Sequence, residues 1–228
     1  MKQIFLDTET TGLKVAEDHR IIEVVAMIYE NRTSVEASIF HQYCNPERDI
    51  SEGALSVHGM DQDFLADKPL FADIADDLQN FLSGGEIIIH NAAFDCEFLD
   101  YEFSRLSLPP VEEIADSIVC SLTLSRRVNL ALRRHRLEDL CRHYNIDDSA
   151  RTTHNALIDT RLLAQVYRAM TRGQIPMDIK MGSPEQQQQM DAAAPVLVRL
   201  ATTEECAEHE NYLRDMEADT GVKPMGWR

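Results

Sequence analysis

The stretch "IFLDTETTG", residues 4–12, decides the fold and raises the first question about function. Residues 4–6 form an apolar run typical of a buried β-strand, yet Asp7 and Glu9 follow directly. Strand side chains two positions apart share a face, so these two carboxylates are predicted to lie side by side at the mouth of the core. Two such groups repel each other and are costly to desolvate without a partner. The stretch therefore predicts that something supplies counter-charge.

Length and composition restrict the class of protein. The chain has 228 residues, of which 44% are hydrophobic, as expected for one domain of ordinary size with an appendage. It has no apolar run long enough to cross a membrane, and its start lacks the apolar core of a signal peptide. The five cysteines are scattered and never form a CxxC pair. We therefore expect free thiols in a reducing cytoplasm and no structural zinc site.

The charge is distributed unevenly around a formal net value of −17. Residues 1–125 hold 24 acidic and seven basic residues, whereas residues 126–151 hold seven arginines and four acids. The simpler interpretation of the arginine cluster is a solvated helix face. The acidic remainder predicts weak intrinsic affinity for nucleic acid, so a metal or a tethering partner would have to supply the attraction.

Hydrophobic periodicity predicts an α/β fold. Strands are expected at residues 3–7, 21–30, 35–44, 86–90 and near 114–119. Helices are expected over residues 71–82, 94–106, 136–144 and 155–170. Because the first strands are joined by short turns and the later ones alternate with helices, we predict a mixed five-stranded sheet covered by helices on both sides.

Composition divides the chain into three parts. Residues 1–172 carry the periodic pattern of a folded domain, and residues 173–194 form a Gln-rich stretch that we interpret as a flexible linker. Residues 195–228 contain a capping-box pattern from Thr202, but the segment is too short to build its own core. Two interpretations stay open: a tail that is disordered or packs on the main domain, and a peptide that folds on a partner.

Two further acids occupy positions that are unusual for a charged residue. Asp159 lies on the same helical stripe as Leu163 and Val166, so it points toward the core. Asp95 comes just after the buried strand at residues 86–90, where ligand sites gather in α/β sheets. Taken singly, each acid has a structural explanation, such as helix-dipole complementarity for Asp95. Together with the carboxylates of the opening stretch, they predict a site for hard divalent cations such as Mg²⁺.

His154 is the candidate general base. It precedes Asp159 by five residues, so on one helix the two side chains would lie ~140° apart. Both face one site only if His154 lies at or before the helix N-terminus, where Thr152 to Asn155 offer good N-cap types. An imidazole in a loop beside such a site suits proton transfer near neutral pH. The alternative is an ordinary surface histidine.

Three motifs, in order and spacing, carry a family resemblance: DTETTG at 7–12, HNAAFD at 90–95 and HNALID at 154–159. They closely resemble the exonuclease motifs of the DEDD superfamily, in its histidine-bearing subgroup. SVHGM at 56–60 and the Gln-rich linker extend the resemblance to the proofreading (epsilon) subunits of bacterial DNA polymerase III. The resemblance implies an RNase H-like fold and 3′→5′ hydrolysis of single-stranded DNA ends, with release of nucleoside 5′-monophosphates.

The resemblance also implies roles for single residues. Asp7, Glu9 and Asp159 would be ligands of two Mg²⁺ or Mn²⁺ ions, Asp95 would join the site through water, and His154 would be the general base. The residues implied to lie near the terminal nucleotide are Thr10, Thr11, Gly12, Leu13, His58 and Asn91.

The resemblance implies partners as well. The segment with Gln174, Met177 and Ile179 is similar to a peptide that binds the sliding clamp, and Ile179 stands where an aromatic residue is usual, which predicts weak binding. Residues 195–228 resemble the segment that anchors the subunit to the catalytic (alpha) subunit of the polymerase. A small third subunit and single-stranded DNA 3′ ends complete the implied partners. Attachment to the polymerase would keep the nuclease at a high effective concentration near the DNA end, so that little intrinsic affinity for DNA would be needed.

Two other functions remain to be weighed. A stand-alone exonuclease acting on RNA or small oligonucleotides would use the same acids but would need neither the linker nor the tail. A scaffold subunit that bridges polymerase and clamp would need the tail but not the intact carboxylates and His154. A nuclease assay with a chelator, and an association assay with and without residues 173–228, distinguish these alternatives.

Overall fold

A computed structural model describes residues 2–30, 38–149, 151 and 154–172. The short turn expected between the predicted strands at 21–30 and 35–44, the Gln-rich linker and the C-terminal tail lie outside the described residues. The same holds for the candidate clamp-binding residues Gln174, Met177 and Ile179, which stay predictions.

The predicted mixed five-stranded sheet is confirmed, with strand order β3-β2-β1-β4-β5. The strands are β1 (Lys2–Thr10), β2 (Ile21–Glu30), β3 (Ser38–Tyr43), β4 (Glu86–Ile89) and β5 (Ser117–Cys120). β1 and β2 pair antiparallel, as do β2 and β3, whereas β1, β4 and β5 run parallel. The central strand is therefore β1, which carries the opening motif.

Eight α-helices occur in the described part of the chain. They are α1 (Glu52–His58), α2 (Gln62–Leu65), α3 (Phe71–Leu82), α4 (Ala92–Arg105), α5 (Val111–Ile114), α6 (Ser121–Val128), α7 (Leu137–Tyr144) and α8 (Ala156–Thr171). The four long predicted helices correspond to α3, α4, α7 and α8. The sequence did not predict α1, α2, α5 and α6. Three of them, α1, α2 and α5, have only four to seven residues and complete too few turns to show a helical period.

Two strand predictions were wrong in their bounds. The strand expected at residues 3–7 continues to Thr10, because backbone pairing with β2 persists past the two acids as far as Thr10 opposite Ile21. The strand expected near residues 114–119 begins only at Ser117, because residues 111–114 form α5. In both cases the backbone partner, rather than local composition, sets the end of the strand.

The two faces of β1 pack in separate core clusters. Ile4 and Leu6 lie in the cluster that contains residues of α3 and α4. Phe5 lies in the other cluster, with residues of α7 and α8. Because strand side chains alternate, Asp7 and Glu9 continue the face of Phe5 and point toward the side of the sheet that α8 covers.

A buried ion pair fixes the connection that follows the opening motif. The Arg20 Nε and Nη2 atoms donate to the two Glu102 carboxylate oxygens at 2.7 Å each, and Glu102 is only 1% exposed. Glu102 also accepts from the Ile21 backbone N–H at 3.3 Å. The pair ties α4 to the start of β2. Loss of one partner alone would leave an uncompensated buried charge.

The described residues can be compared with two expectations from the sequence, one about membrane spans and one about the cysteines. None of their helices combines the length and the apolar character that a membrane crossing requires. Cys44, Cys96, Cys120 and Cys141 are free thiols, as the scattered spacing predicted. Cys206 lies in the tail, outside the described residues.

Candidate active site

The predicted acids converge on one open cavity. Asp7 and Glu9 reach it from β1, and Asp159 reaches it from the first turn of α8. The cavity has a volume of about 850 Å³, and Asp95 and His154 also line it. The periods of two for the strand and 3.6 for the helix thus place these carboxylates on facing surfaces, as predicted.

Asp95 enters from the first turn of α4 and is held by β1. The Thr8 backbone N–H and hydroxyl both donate to its Oδ1 atom, at 3.1 and 2.7 Å. Asp95 is 3% exposed. Because Thr8 lies between Asp7 and Glu9, this pair of hydrogen bonds fixes Asp95 next to the two strand acids.

The cluster is short of positive charge. Burial and the neighbouring charges of Asp95, Glu9 and Asp159 raise the pKa of Asp7 well above its usual range. Burial, followed by the charges of Glu23 and Asp159, raises the pKa of Glu9 to about 8. Burial raises the pKa of Asp95 to about 7, although its hydrogen bonds with Thr8 act in the opposite direction. The acids therefore tend to hold protons where a cation is not available.

Arg151 is a cation that contacts the acidic cluster directly. Its Nε and Nη2 atoms donate to the Asp159 Oδ1 and Oδ2 atoms at 2.5 and 2.8 Å. Burial alone would raise the pKa of Asp159, but the hydrogen bonds from His154 and Arg151, together with the Arg151 charge, lower it below the usual range. Asp159 is therefore ionised while its neighbours tend to hold protons.

His154 lies immediately before α8, as the helical-turn argument required. The helix is capped by Asn155, whose side chain accepts from the Ile158 N–H at 3.1 Å. The His154 backbone N–H donates to the Val57 carbonyl at 3.2 Å, which ties the loop to α1. The imidazole side chain is 52% exposed, and its Nδ1 atom lies 3.5 Å from Asp159 Oδ2.

Arg151 also contacts this imidazole. Its Nη2 atom lies 2.9 Å from His154 Nδ1. The same Nη2 atom lies 3.3 Å from His154 Nε2, so the guanidinium lies beside the imidazole ring. One arginine thus orients both the carboxylate and the imidazole of the third motif.

The donor set fits a hard divalent cation in chemistry and in charge. Asp7, Glu9 and Asp159 offer carboxylate oxygens, and burial together with neighbouring acids raises the pKa values of Asp7 and Glu9. Over the described residues, however, no three His, Cys, Asp or Glu side chains are arranged to enclose a metal ion. Arg151, which engages both oxygens of Asp159, holds that carboxylate in its present orientation.

Of the six residues expected near the terminal nucleotide, only Asn91 lines the cavity. It caps α4 in the left-handed region, with φ 69°. Thr10 and Thr11 use their hydroxyl groups internally: Thr10 donates to the Gly12 carbonyl at 2.7 Å, and Thr11 lies 2.9 Å from His19 Nδ1. These hydroxyls therefore shape the loop after β1, and contact of their side chains with a nucleotide stays a prediction.

The other three residues lie outside the cavity for different reasons. Gly12 packs so closely against the His19 ring that a Cβ atom would overlap the ring atoms, which explains the glycine. Leu13 is 80% exposed, so its wedge role stays a prediction. His58 is buried; its Nδ1 accepts from the Met60 N–H at 3.0 Å, and its Nε2 has no hydrogen-bond partner among the described residues.

Two residues near the site were missed. Glu23 lies opposite Glu9 across the β1–β2 ladder, is fully buried, and contacts His41 Nε2 through Oε1 at 2.8 Å. A single acid inside the apolar run of β2 was the available signal. Arg151 was counted only as part of the arginine cluster, although the need for counter-charge near Asp159 could have singled it out.

The raised pKa values predict that the protein without divalent cations becomes less stable as the pH rises. A carboxyl whose pKa is higher in the folded state favours folding fully below its unfolded value, and this contribution is lost as the pH passes the folded value. For Glu9 these limits are 4.5 and about 8. We expect the melting temperature in a chelator to fall by several degrees between about pH 7.5 and about pH 9, measured by calorimetry.

The range begins above the histidine titrations for a reason. His19, His58 and His90 have lowered pKa values, first because of burial, so they act with the opposite sign at lower pH. Glu9→Gln should flatten the slope, whereas the exposed control Glu97→Gln should leave it unchanged. An equal slope in Glu9→Gln and wild type would contradict the assignment.

Comparison with known proteins identifies the family to which the chain belongs. The Exonuclease family model matches residues 4–167. DNA polymerase III subunit epsilon of Escherichia coli (strain K12) is 42% identical over 225 residues, covering 93% of this chain and 92% of the relative. The protein of the same name from Rickettsia felis is 40% identical over 173 residues, covering 76% and 75%.

Solved structures show the same fold at lower identity. Exonuclease X in complex with 5′ overhanging duplex DNA aligns with a TM-score of 0.58 at 20% identity, over 75% of this chain and 92% of that one. The zinc ion bound form of the E. coli ExoI–ssDNA complex aligns with a TM-score of 0.67 at 21% identity, over 77% of this chain and 41% of that one. At such identities the likeness supports the fold alone.

Fold and acidic site together define the class of exonucleases with an RNase H-like sheet. The family match over most of the domain agrees with that class. Within it, the chain belongs to the family of DNA polymerase III epsilon subunits, to which it is 40–42% identical over most of its length.

Proposed function

We propose that this chain is a 3′→5′ exonuclease that proofreads for the replicative DNA polymerase, removing single-stranded 3′ ends as nucleoside 5′-monophosphates. The observation that carries the proposal is that the four predicted acids and His154 converge on a single cavity. The names of the relatives support the same activity.

We propose two Mg²⁺ or Mn²⁺ ions as cofactors, held by Asp7, Glu9 and Asp159, with Asp95 beside them. When bound, such ions stabilise the negative charge that develops on the attacking and leaving oxygens of phosphoryl transfer. The raised pKa values of Asp7 and Glu9 support this proposal, because added positive charge would return both groups to their ionised form. One structural neighbour, the E. coli ExoI–ssDNA complex, was itself solved in a zinc ion bound form.

The chain's own residues supply the proton transfer. In the hydrolysis, a water oxygen bonds to the terminal phosphorus, and the 3′ oxygen of the preceding nucleotide leaves and takes up a proton. His154, whose imidazole is half-exposed at the cavity edge, takes on a ring nitrogen the proton that the water loses. Arg151 contacts both groups, and it would have to release the Asp159 oxygens for them to bind a metal ion.

The partner assignments rest on the C-terminal part of the chain. The family model ends at residue 167, whereas the match to the E. coli relative extends over 225 residues, so the similarity continues past the nuclease domain. We propose that residues 195–228 anchor the chain to the polymerase catalytic subunit and that the segment with Gln174 and Ile179 binds the sliding clamp weakly. A small third subunit is a further proposed partner. Tethering by a short linker would give an effective concentration on the order of millimolar.

A nuclease assay on the full chain tests the proposal. We expect a 5′-labelled single-stranded DNA oligonucleotide to shorten stepwise in Mg²⁺, with nucleoside 5′-monophosphates as products, and to stay intact in EDTA. A pull-down should recover the polymerase catalytic subunit with the full chain but not with a chain truncated after Arg172. If the DNA stays intact in Mg²⁺, a scaffold subunit that bridges polymerase and clamp would explain the chain better than a nuclease. Activity without polymerase association would favour a stand-alone exonuclease.

A further inference from the structure

A second group of residues lines the same cavity with the opposite charge. Arg126 comes from α6, and Arg133 and Arg134 come from the connection between α6 and α7. We call these three residues the arginine wall. All three are exposed, and within the described ranges none of them makes an ion pair.

Position in the cavity, rather than the lack of an ion pair, sets the arginine wall apart, because Arg127 on the same helix also makes no ion pair among the described residues. The chain has 39 acidic residues and 22 basic ones, so acidic partners are abundant. The neighbouring Arg136 and Arg142 do find acids, Glu138 at 3.6 Å and Asp139 at 3.5 Å. The arginine wall instead faces the cavity that holds the acidic cluster, with its guanidinium groups free to bind an external anion.

The connection that carries the wall is anchored at several points. His135 Nδ1 lies 2.8 Å from Ser125 Oγ, and the Asn129 side chain donates to the same buried hydroxyl at 3.3 Å. Tyr144, at the end of α7, donates its hydroxyl to Asn129 Oδ1 at 2.7 Å. These bonds tie the connection to both flanking helices. The arginines therefore project from a fixed frame, which lowers the cost of ordering them around a ligand.

From this arrangement we infer that the arginine wall is a subsite for the phosphates on the 5′ side of the scissile bond. This inference rests on the proposed nuclease function. A polyanionic strand that enters a cavity with four acids needs cations for the phosphates that lie beyond the reaction centre. Guanidinium groups bind phosphate oxygens through paired, charge-assisted hydrogen bonds. The substrate class that this subsite favours is a single strand of several nucleotides over a dinucleotide.

Substrate length provides the test, because a dinucleotide has only the scissile phosphate. We compare hydrolysis of a thymidine dinucleotide with that of a single-stranded oligothymidylate of about ten nucleotides, a length that supplies several upstream phosphates. The variants are Arg126→Gln and the double variant Arg133→Gln/Arg134→Gln. The matched control is Arg127→Gln, which removes the same charge from the next position of α6, outside the cavity lining.

For the double variant we expect KM for the longer strand to rise about tenfold, with kcat unchanged and dinucleotide hydrolysis within about twofold of wild type. Binding of the labelled longer strand in Ca²⁺, followed by fluorescence anisotropy, should show a salt slope that is shallower by about 0.7 per lost phosphate contact. Arg127→Gln should match wild type in all three measurements.

Three results would overturn the inference. Equal losses on dinucleotide and longer strand would place the wall in the reaction centre, and equal losses in Arg127→Gln would reduce it to a general field effect. Wild-type binding and kinetics in the double variant would likewise exclude the subsite. If the proposed nuclease function itself is wrong, the wild-type protein would cleave neither substrate in Mg²⁺. The anisotropy measurement would still test whether the arginine wall binds the strand.

Discussion

Asp7→Asn is expected to lower nuclease turnover in Mg²⁺ by roughly 10³-fold or more, because a cation contribution of several kcal/mol is lost. Asp7 has several other acids as neighbours. Burial, together with the charges of Asp95, Glu9 and Asp159, raises its pKa. The substitution preserves shape and removes one negative charge. The measurement is single-turnover hydrolysis of a labelled single strand.

The same substitution should stabilise the protein in a chelator. Removing a buried, mutually repelling acid relieves the electrostatic cost of the cluster, so the melting temperature in EDTA should rise above that of wild type at pH 8. Asp63→Asn, an exposed residue of α2, serves as the control for both measurements. Opposite changes in activity and stability separate loss of the site from misfolding. Retained turnover in Mg²⁺ would refute the role of Asp7.

His154→Ala is expected to lower turnover by about 10²–10⁴-fold, the range typical for loss of a general base. The imidazole is half-exposed, and only the side chain is removed, because the backbone bond to Val57 remains. Affinity for the single strand should therefore change little, and the rise of the rate with pH should become flatter. The measurements are kcat over a pH series and binding by anisotropy.

His143→Ala is the matched control, since His143 is an exposed histidine of α7. It should reproduce the wild-type rate at every pH. If His154→Ala instead weakens DNA binding and leaves kcat intact, the histidine positions the substrate and transfers no proton.

Much of the site could be predicted from local periods in the sequence. Alternation along β1 placed Asp7 and Glu9 on one face, and the helical stripe through Leu163 and Val166 turned Asp159 toward them. The same helical geometry required His154 to precede α8, and it does. These predictions succeeded because each depends on only one element and its period.

What local periods do not encode is pairing between elements. The paired hydrogen bonds from Arg151 to Asp159 depend on the path of the loop before α8. The position of Glu23 opposite Glu9 depends on the register between β1 and β2. The contact between the Thr11 hydroxyl and His19 is another one that no period predicts. The sequence therefore could not show that the Thr11 side chain points inward. The arginine cluster shows the same limit, since charge counting alone favoured a solvated helix face.

The central claim is that divalent cations reside among the carboxylates of β1 and α8. The most direct test is anomalous scattering from crystals soaked with Mn²⁺ and a nucleoside 5′-monophosphate. We predict two manganese peaks coordinated by Asp7, Glu9 and Asp159, with the phosphate of the nucleotide beside them. Crystals without manganese at these residues, with Asp159 still bound to Arg151 through both oxygens, would contradict the account.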